Sequence, residues 1–417
     1  MSATKQQEAQ QEQDAFLENG EIDQIVSDDE NAQPNDEEDD SESEFREEDD
    51  GEEMVTMDNN SFSYFDTHTD SIYLIASHPK LPMVLTGGGD EKAYLWTTHS
   101  SPAKLVTELT GQLESVVAGG FTCDGKYVVT GDMKGQVRVW KAKAGGEKWT
   151  FLASMQEVEE IVYIKFHPYL PVFAVGAQGG SIWVYELNES LSQVSVLNGH
   201  AGPTTNALFV NVKDENSLTL VSLSEDSTII CWDAYKSQTI YTLGRRELRG
   251  EHPWISICAS PSEKSIAVGA MDGTLAIIKT EDGAVLHKLA TTPESTPIED
   301  RSLEALSWSN KTGLLATGNV SGLVQLYSPA QWKVRVSMEL HEAITQLNFI
   351  ENEPFLVVSS MQGHVHVFDA LSGTELWKSE GHSAGILGFV LQEHGNRIVT
   401  ADDAGIALVF KVNEEAN

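Results

Sequence analysis

An aromatic or aliphatic residue ends a β-like segment every 41 to 49 residues along most of this 417-residue chain. The eight positions are Trp96, Trp140, Tyr185, Trp232, Ile278, Tyr327, Phe368 and Phe410. A fixed period of this length indicates a repeat array, in which each unit buries its apolar face against its neighbours. The sequence therefore predicts eight similar units rather than several unrelated domains.

The units consist of short β segments separated by turn residues. Tyr127–Thr130 precedes Gln136–Trp140, and Leu218–Leu223 precedes Thr228–Trp232. No segment has the apolar period of a long amphipathic helix, so we predict an all-β body.

The first 60 residues have a different composition. They contain 23 Asp and Glu but only Lys5 and Arg46, a net charge of −21 (2 minus 23). Such a segment cannot bury enough apolar surface to offset its chain entropy. We predict a disordered acidic tail over residues 1–60, a folded body over 61–412 and a short C-terminal tail over 413–417. The acidic tail either keeps the protein soluble or helps to hold a basic client.

The composition excludes several classes of protein. The whole chain has 27 Lys and Arg against 64 Asp and Glu, so it lacks the basic surface of a direct nucleic-acid binder. No apolar segment is long enough to span a membrane, and the N-terminus does not resemble a secretory signal. Three widely spaced cysteines, Cys123, Cys231 and Cys258, favour a reducing compartment. We expect a monomeric cytoplasmic protein that could also enter the nucleus.

The motif residues resemble those of the WD40 family. Gly199-His200 opens the fourth unit, Trp232-Asp233 ends its third strand, and Gly381-His382 opens the eighth unit. The resemblance covers residues 61–412 and implies an eight-bladed β-propeller, in which each unit supplies most of a four-stranded blade.

In the WD40 pattern, a His, a Ser or Thr, an Asp and a Trp form a buried hydrogen-bonded network. The two matching sets are His68, Thr86, Asp90 and Trp96, and His200, Ser222, Asp226 and Trp232. A buried imidazole and carboxylate must be paired, and this structural role explains them without the alternative of acid–base catalysis. The second unit has Gln112 and Lys134 in place of His and Asp, so we expect it to depend on apolar packing.

The eighth unit reaches Val412 after only three strands, whereas the strand-like segment Ser61–Asp66 has no partner in the first unit. A propeller can close by lending such a segment to its last blade, which removes two exposed sheet edges. We predict that Ser61–Asp66 pairs beside Ile406–Lys411, and that Phe62 and Phe65 join the first and last blades.

Motifs for catalysis or for cofactors are not found. The run Gly87–Gly89 lacks the Gly-Lys-Ser/Thr of a phosphate-binding loop and is expected in a tight turn. His364 and His366 share one face of a strand without a Cys or carboxylate at metal-ligand spacing. We therefore predict no catalytic residue, no cofactor and no metal site, and a protein that is not an enzyme.

In propellers of this family, the usual binding face carries the loop before each first strand and the turn between the second and third strands. The acidic residues at these positions are Glu114, Glu159, Glu160, Glu225, Glu299, Asp300, Glu304, Glu342 and Asp403, and the nearest base is Arg301. A ring of carboxylates would bind the Lys and Arg side chains of a partner. The alternative is that polar loops of an acidic protein are simply acidic.

The acidic N-terminus, the eight units, and the stretches Phe166-His167-Pro168 and Thr130-Gly131-Asp132 resemble the angio-associated migratory cell protein family. That family includes a fungal chaperone of one large-subunit ribosomal protein (ribosomal protein ten). The resemblance implies a chaperone that holds the basic N-terminal segment of its client until delivery to the pre-60S particle. It assigns the main contacts to Glu114, Glu160, Glu304 and Asp403, followed by Glu159 and Glu225. The alternatives are a scaffold or adaptor in signalling or ubiquitin ligation, and a histone-binding WD40 protein.

Overall fold

The computed structural model describes residues 58–412, apart from residues 157, 158 and 215. These residues form eight four-stranded antiparallel sheets, so the predicted all-β, eight-bladed propeller is confirmed. The predicted acidic tail, apart from residues 58–60, and the predicted tail of residues 413–417 lie outside the described residues.

We number the strands in chain order and the blades by the order of their first strands. Blade 1 consists of β2 (Ile72–Ser77), β3 (Met83–Gly88), β4 (Ala93–Thr97) and β5 (Leu105–Leu109), and blade 2 consists of β6 (Val116–Phe121), β7 (Tyr127–Asp132), β8 (Gln136–Lys143) and β9 (Lys148–Gln156). Blade 3 consists of β10 (Ile161–Phe166), β11 (Val172–Ala177), β12 (Ser181–Asn188) and β13 (Ser190–Asn198), and blade 4 consists of β14 (Thr204–Val210), β15 (Thr219–Ser224), β16 (Ile229–Asp233) and β17 (Gln238–Leu243). Blade 5 consists of β18 (Trp254–Ala259), β19 (Ser265–Ala270), β20 (Thr274–Lys279) and β21 (Val285–Ala290), and blade 6 consists of β22 (Ala305–Trp308), β23 (Leu315–Gly318), β24 (Leu323–Ser328) and β25 (Lys333–Glu339). Blade 7 consists of β26 (Ile344–Phe349), β27 (Phe355–Ser360), β28 (Val365–Asp369) and β29 (Glu375–Lys378), and blade 8 consists of β30 (Ile386–Gln392), β31 (Arg397–Asp402), β32 (Ala407–Lys411) and β1 (Ser63–Phe65).

Helical structure is minor in the described residues. It consists of one short helix, α1 (Arg245–Leu248), and 3-10 turns at Ala144–Gly146, Ile298–Asp300 and Glu393–Gly395. Within the described ranges, we find no helix with the length and apolar character needed to cross a membrane.

The apolar core lies between neighbouring blades. Every residue of β3, β7 and β11 is buried, because these second strands pack against a sheet on each side. This two-sided burial explains why the segments read as continuous apolar runs. The first strands contact the first strands of both neighbouring blades, and β30 contacts β2, which closes the ring.

Blade 8 takes its outermost strand from the N-terminal side of the chain, as predicted. β1 pairs antiparallel with β32, with Ser63 opposite Val409 and Phe65 opposite Ala407. Phe65 is buried in a cluster that combines residues of blades 8 and 1. The backbone of Asn60 also hydrogen-bonds to Glu380, so contact with the propeller begins before Ser61.

The glycine run of blade 1 differs from the prediction. Gly87 and Gly88 belong to β3, and only Gly89 follows the strand, so the expectation of a tight turn is wrong for two of the three residues. A Cβ atom on Gly87 would lie 2.6 Å from Val116 Cγ1 in blade 2. The missing side chain therefore permits the close approach of blades 1 and 2.

Candidate partner-binding face

In each blade, the first strand begins and the second strand ends at the same rim, because the strands are antiparallel. We call this side the upper face. The leading loop precedes the first strand, and the upper turn follows the second strand. One backbone hydrogen bond of 2.9–3.1 Å joins the two in every blade, with N–H donors in Gly89, Met133, Gln178, Glu225, Met271, Val320, Met361 and Asp403. These bonds define equivalent positions around the face.

The six predicted partner-binding carboxylates all lie at this rim. They are Glu114 in blade 2, Glu159 and Glu160 in blade 3, Glu225 in blade 4, Glu304 in blade 6 and Asp403 in blade 8. In an eight-membered ring, blades 2 and 6 are opposite, as are blades 4 and 8. The fold therefore distributes the carboxylates around the rim and does not gather them into one cluster.

Glu159 has an unsatisfied carboxylate. It lies directly over Gly179 in the upper turn of the same blade, where a Cβ atom would collide with it. Its Oε2 atom is buried and has no hydrogen-bond partner among the described residues. An unpaired buried acceptor costs roughly 1–3 kcal/mol.

Serine hydroxyls orient two of the exposed carboxylates. Ser71 Oγ donates to Asp403 Oδ1 at 2.7 Å, across the junction between blades 1 and 8. Ser302 Oγ donates to Glu304 Oε1 at 2.6 Å. Each hydroxyl holds one carboxylate oxygen, and the second oxygen is placed to accept a bond from a ligand N–H.

The basic side chains of the leading loops and upper turns are Lys92, Lys134, Arg245, Arg246, Arg249 and Arg301, and the acidic side chains of these segments outnumber them. Lys134 Nζ lies 3.9 Å from Glu114 Oε2, but the two side chains are 62% and 41% exposed, so water screens the pair. The guanidinium of Arg301 donates to the carbonyls of Thr296 and Glu294 at 2.7 and 2.6 Å. Arg301 is thus held by its own loop.

The sequence analysis missed several acidic residues of this face, including Asp70. Asp70 is exposed and directly precedes Ser71, as Glu114 precedes Ser115 in the next blade. Its Oδ1 atom accepts a bond from the Ser71 backbone N–H at 2.8 Å. The repeat register contained this signal, because Ser71 and Ser115 accept the equivalent upper-turn hydrogen bond.

The predicted network of blade 1 is formed as a chain of hydrogen bonds. Trp96 Nε1 donates to Thr86 Oγ1 at 3.1 Å, and Thr86 Oγ1 lies 3.0 Å from His68 Nε2. His68 Nδ1 lies 3.0 Å from Asp90 Oδ1. Burial lowers the pKa of His68 despite the nearby Asp90, which favours the neutral ring with its proton on Nδ1.

In blade 4, a fifth residue completes the network. Ser222 Oγ accepts a hydrogen bond from Trp232 Nε1 at 2.9 Å and lies 2.7 Å from His200 Nε2. The path from His200 to Asp226 runs through Thr228, whose hydroxyl lies 2.8 Å from His200 Nδ1 and 2.6 Å from Asp226 Oδ1. Burial acts to raise the pKa of Asp226, but the nearby His200 ring, together with hydrogen bonds from Thr228 and the neighbouring backbone, lowers it overall.

Two other blades also bury a carboxylate. In blade 8, His382 lies 2.7 Å from Asp402 Oδ2 and 2.6 Å from Thr400 Oγ1. In blade 2, Asp132 is fully buried and accepts three backbone N–H bonds. The expectation that blade 2 depends on apolar packing is therefore wrong, because Asp132 supplies its carboxylate from the strand end, two residues before Lys134.

The two histidines of blade 7, which share one strand face, form hydrogen bonds within the protein. His364 Nδ1 lies 2.8 Å from the Ser379 carbonyl, and His366 Nδ1 lies 2.5 Å from Glu375 Oε1. Across the part of the chain that the structure describes, no group of three or more His, Cys, Asp or Glu side chains is arranged to hold a metal ion.

Family models match two parts of the chain. The "WD domain, G-beta repeat" model matches residues 103–141. The model described as "Outer membrane protein assembly factor BamB" matches residues 171–414, from the second strand of blade 3 onward.

Three relatives extend these matches over most of the chain. Ribosome assembly protein SQT1 of Saccharomyces cerevisiae is 40% identical, over 86% of this chain and 88% of that protein. Its crystal structure covers 86% of this chain and 100% of the yeast chain, with a TM-score of 0.82 and 39% identity. Human angio-associated migratory cell protein is 28% identical, over 84% of this chain and 79% of that protein.

The third relative was solved as a complex. The crystal structure of Chaetomium thermophilum Sqt1 bound to the N-terminus of the ribosomal protein L10 has a TM-score of 0.78 and 27% identity, over 85% of this chain and 100% of that chain. With the yeast relative 40% identical over most of both chains and the same fold, this chain belongs to the WD40-repeat family that includes the SQT1 ribosome assembly proteins and angio-associated migratory cell protein.

Proposed function

We propose that this protein is a ribosome-assembly chaperone that holds the basic N-terminal segment of the large-subunit ribosomal protein L10 on its upper face. The observation that carries the proposal is the rim of carboxylates on the upper face, where acidic side chains outnumber basic ones. The C. thermophilum relative, bound to the N-terminus of L10, supports the identity of the client. The proposed activity is binding, without a catalytic step.

The electrostatics of the protein suit such a client. Beyond residue 60, the chain has 41 acids and 25 bases, a net charge of −16. A field of one sign concentrates oppositely charged ligands at the surface and raises their association rate. Ribosomal proteins are strongly basic, so occupation of their cationic segments prevents contact with stray RNA before delivery to the pre-60S particle.

The carboxylates of the rim do not contribute equally to the affinity. An exposed ion pair contributes about 0–1 kcal/mol, because water screens it. A carboxylate that accepts both N–H groups of one guanidinium contributes more, because the two hydrogen bonds are charge-assisted. Binding is thus expected to depend on several contacts that act together, and to weaken as salt is added.

The acidic N-terminal segment has a proposed secondary role. Its 23 acidic residues would attract the client before docking. Deletion of residues 1–55 is expected to lower the association rate and to leave the dissociation rate nearly unchanged. We place capture of the client in the cytoplasm, with passage to the nucleus for delivery, and the three free cysteines of the described chain support this reducing environment.

The test is calorimetric titration of the full chain with a synthetic peptide of the L10 N-terminus. The test variant combines the neutral substitutions Glu114→Gln, Glu160→Gln, Glu304→Gln and Asp403→Asn. Its control combines Glu147→Gln, Glu281→Gln, Glu351→Gln and Glu353→Gln, which are exposed on the opposite rim. We expect the upper-face variant to lose affinity by about 100-fold, and the control to lose less than about 3-fold.

The outcome that contradicts the proposal is unchanged affinity of the upper-face variant at about 0.15 M salt, with a native circular dichroism spectrum. A histone N-terminal peptide is titrated in parallel. Tighter binding of the histone peptide than of the ribosomal peptide would replace the proposed client with a histone.

A further inference from the structure

The upper face also presents apolar side chains at a repeated position. Met133, Met271 and Met361 donate the upper-turn hydrogen bond of blades 2, 5 and 7, in the place that Glu225 and Asp403 take in blades 4 and 8. The three methionines are 40%, 46% and 39% exposed. They are the only exposed methionines of the described chain, since Met83 and Met338 are buried and Met155 is half-buried.

Other exposed apolar residues accompany two of these methionines. Leu113, 53% exposed, belongs to the leading loop of blade 2, and its N–H donates to Asp132, directly before Met133. Ile298, 67% exposed, belongs to the leading loop of blade 6. That loop bonds to blade 5 through Leu303 N–H and the carbonyl of Ala270, the residue before Met271.

The third methionine lies beside a carboxylate of the rim. Met361 covers Gly385, where a Cβ atom would be 2.6 Å from its Cε. The carbonyl of the same Gly385 accepts the backbone N–H of Asp403 at 3.0 Å. Gly385 thus contacts both Met361 of blade 7 and Asp403 of blade 8, so only this residue separates the apolar group from the acidic group.

Single exposed apolar residues are ordinary on protein surfaces, but these share one position of the repeat and one face of the ring. Methionine is also an adaptable contact residue, because its unbranched chain repacks easily and its sulfur contacts aromatic rings favourably. A face built only to attract cations would gain nothing from such side chains.

We propose that the upper face recognises an amphipathic basic segment, in which aromatic or long aliphatic side chains alternate with Arg and Lys. The apolar side chains contact Met133, Met271 and Met361, and the cations bind the interleaved carboxylates. This inference rests on the proposed function, and it adds that the client must carry apolar groups as well as charge. Binding then retains a component that salt does not remove.

The test uses two synthetic peptides of equal length and charge. One alternates arginine with tyrosine, and the other has serine in place of every tyrosine. The test variant of the full chain is Met133→Gln, Met271→Gln and Met361→Gln, which keeps side-chain length but adds polar groups. The matched control is Ile240→Gln, Leu286→Gln and Leu376→Gln, which are 49%, 48% and 52% exposed on the outer strands β17, β21 and β29.

We expect the wild-type chain to bind the tyrosine peptide about 10-fold or more tightly than the serine peptide, and to retain that preference at about 1 M salt. The methionine variant loses the preference, whereas the control keeps it. If the methionine variant keeps the preference, or the wild-type chain binds both peptides equally, the inference is overturned and the charge-based function stands. If the wild-type chain binds neither of these peptides nor the L10 peptide, both proposals fail together.

Discussion

The ring of Phe65 lies parallel to the indole of Trp96, with ring centroids 4.9 Å apart and an angle of 3° between the planes. Phe65 belongs to β1, the outermost strand of blade 8, whereas Trp96 belongs to β4 in blade 1. The contact therefore joins the two blades at which the ring closes. Tyr94 adds an edge contact to Phe65 at 5.7 Å.

Phe65→Ala is expected to lower the free energy of unfolding by roughly 3–5 kcal/mol, the usual cost of removing a buried phenylalanine ring. Urea denaturation followed by tryptophan fluorescence measures the change. Tyr64→Ala is the matched control, because Tyr64 directly precedes Phe65 in β1 and is 51% exposed. Equal effects of the two substitutions would mean that the Phe65 contact does not stabilise the closure.

Ser222→Ala is expected to destabilise the protein by about 1–3 kcal/mol, because it leaves Trp232 Nε1 and His200 Nε2 buried without their shared partner. Thermal unfolding gives the comparison. Ser192→Ala, which removes an exposed hydroxyl on the outer strand β13, should change stability by less than about 0.5 kcal/mol. A loss no larger than that of the control would show that the network contributes little.

Buried histidines make stability depend on pH. Burial lowers the pKa of His78 and His167 below the usual 6.5. His78 Nδ1 accepts backbone bonds from Lys80 and Leu81, at 3.0 and 2.9 Å, so protonation there would break both. As the pH decreases, these histidines are protonated near pH 6.5 in the unfolded chain, but only at lower pH in the folded protein. The free energy of unfolding therefore has its full value above pH 6.5 and falls as the pH decreases through 6.5.

The pH dependence is measured from urea midpoints between about pH 7.5 and 5.5. His78→Asn keeps an acceptor for the two backbone donors but cannot be protonated, so the variant should lose stability less steeply over this range. The exposed His99→Asn should keep the wild-type slope. If the His78 variant also keeps it, protonation of His78 does not contribute.

The sequence predicted the features that repeat with the period of the blades. Trp96, Trp140 and Trp232 lie opposite Val84, Val128 and Leu220 of the preceding strands, at the same register point in each blade. The pairing of Ser63–Phe65 with β32 followed from a missing fourth strand in the last unit. Local pattern was sufficient in these cases, because each unit buries its residues in the same way.

Features that depend on contacts between distant loops were not predictable. The unpaired Oε2 of Glu159 results from its position over Gly179, twenty residues later, and no local pattern shows that arrangement. The network of His382 was overlooked because Phe410 takes the place of the usual Trp, and Asp132 because it lies at a strand end rather than in the turn. The carboxylates were predicted by position, but their separation on opposite blades appears only in the closed ring.

The pairing of β1 with β32 in blade 8 also determines when the ring can close during biosynthesis. The last residue of β1 and the first residue of β32 are 342 positions apart (407 minus 65), so the earliest strand emerges from translation long before its partner exists. Until then its edge is open to wrong pairing. The Ser71–Asp403 hydrogen bond also joins blade 1 to blade 8, where the ring closes. The upper face is therefore completed only when the final strands have left the ribosome, and a half-made chain lacks it.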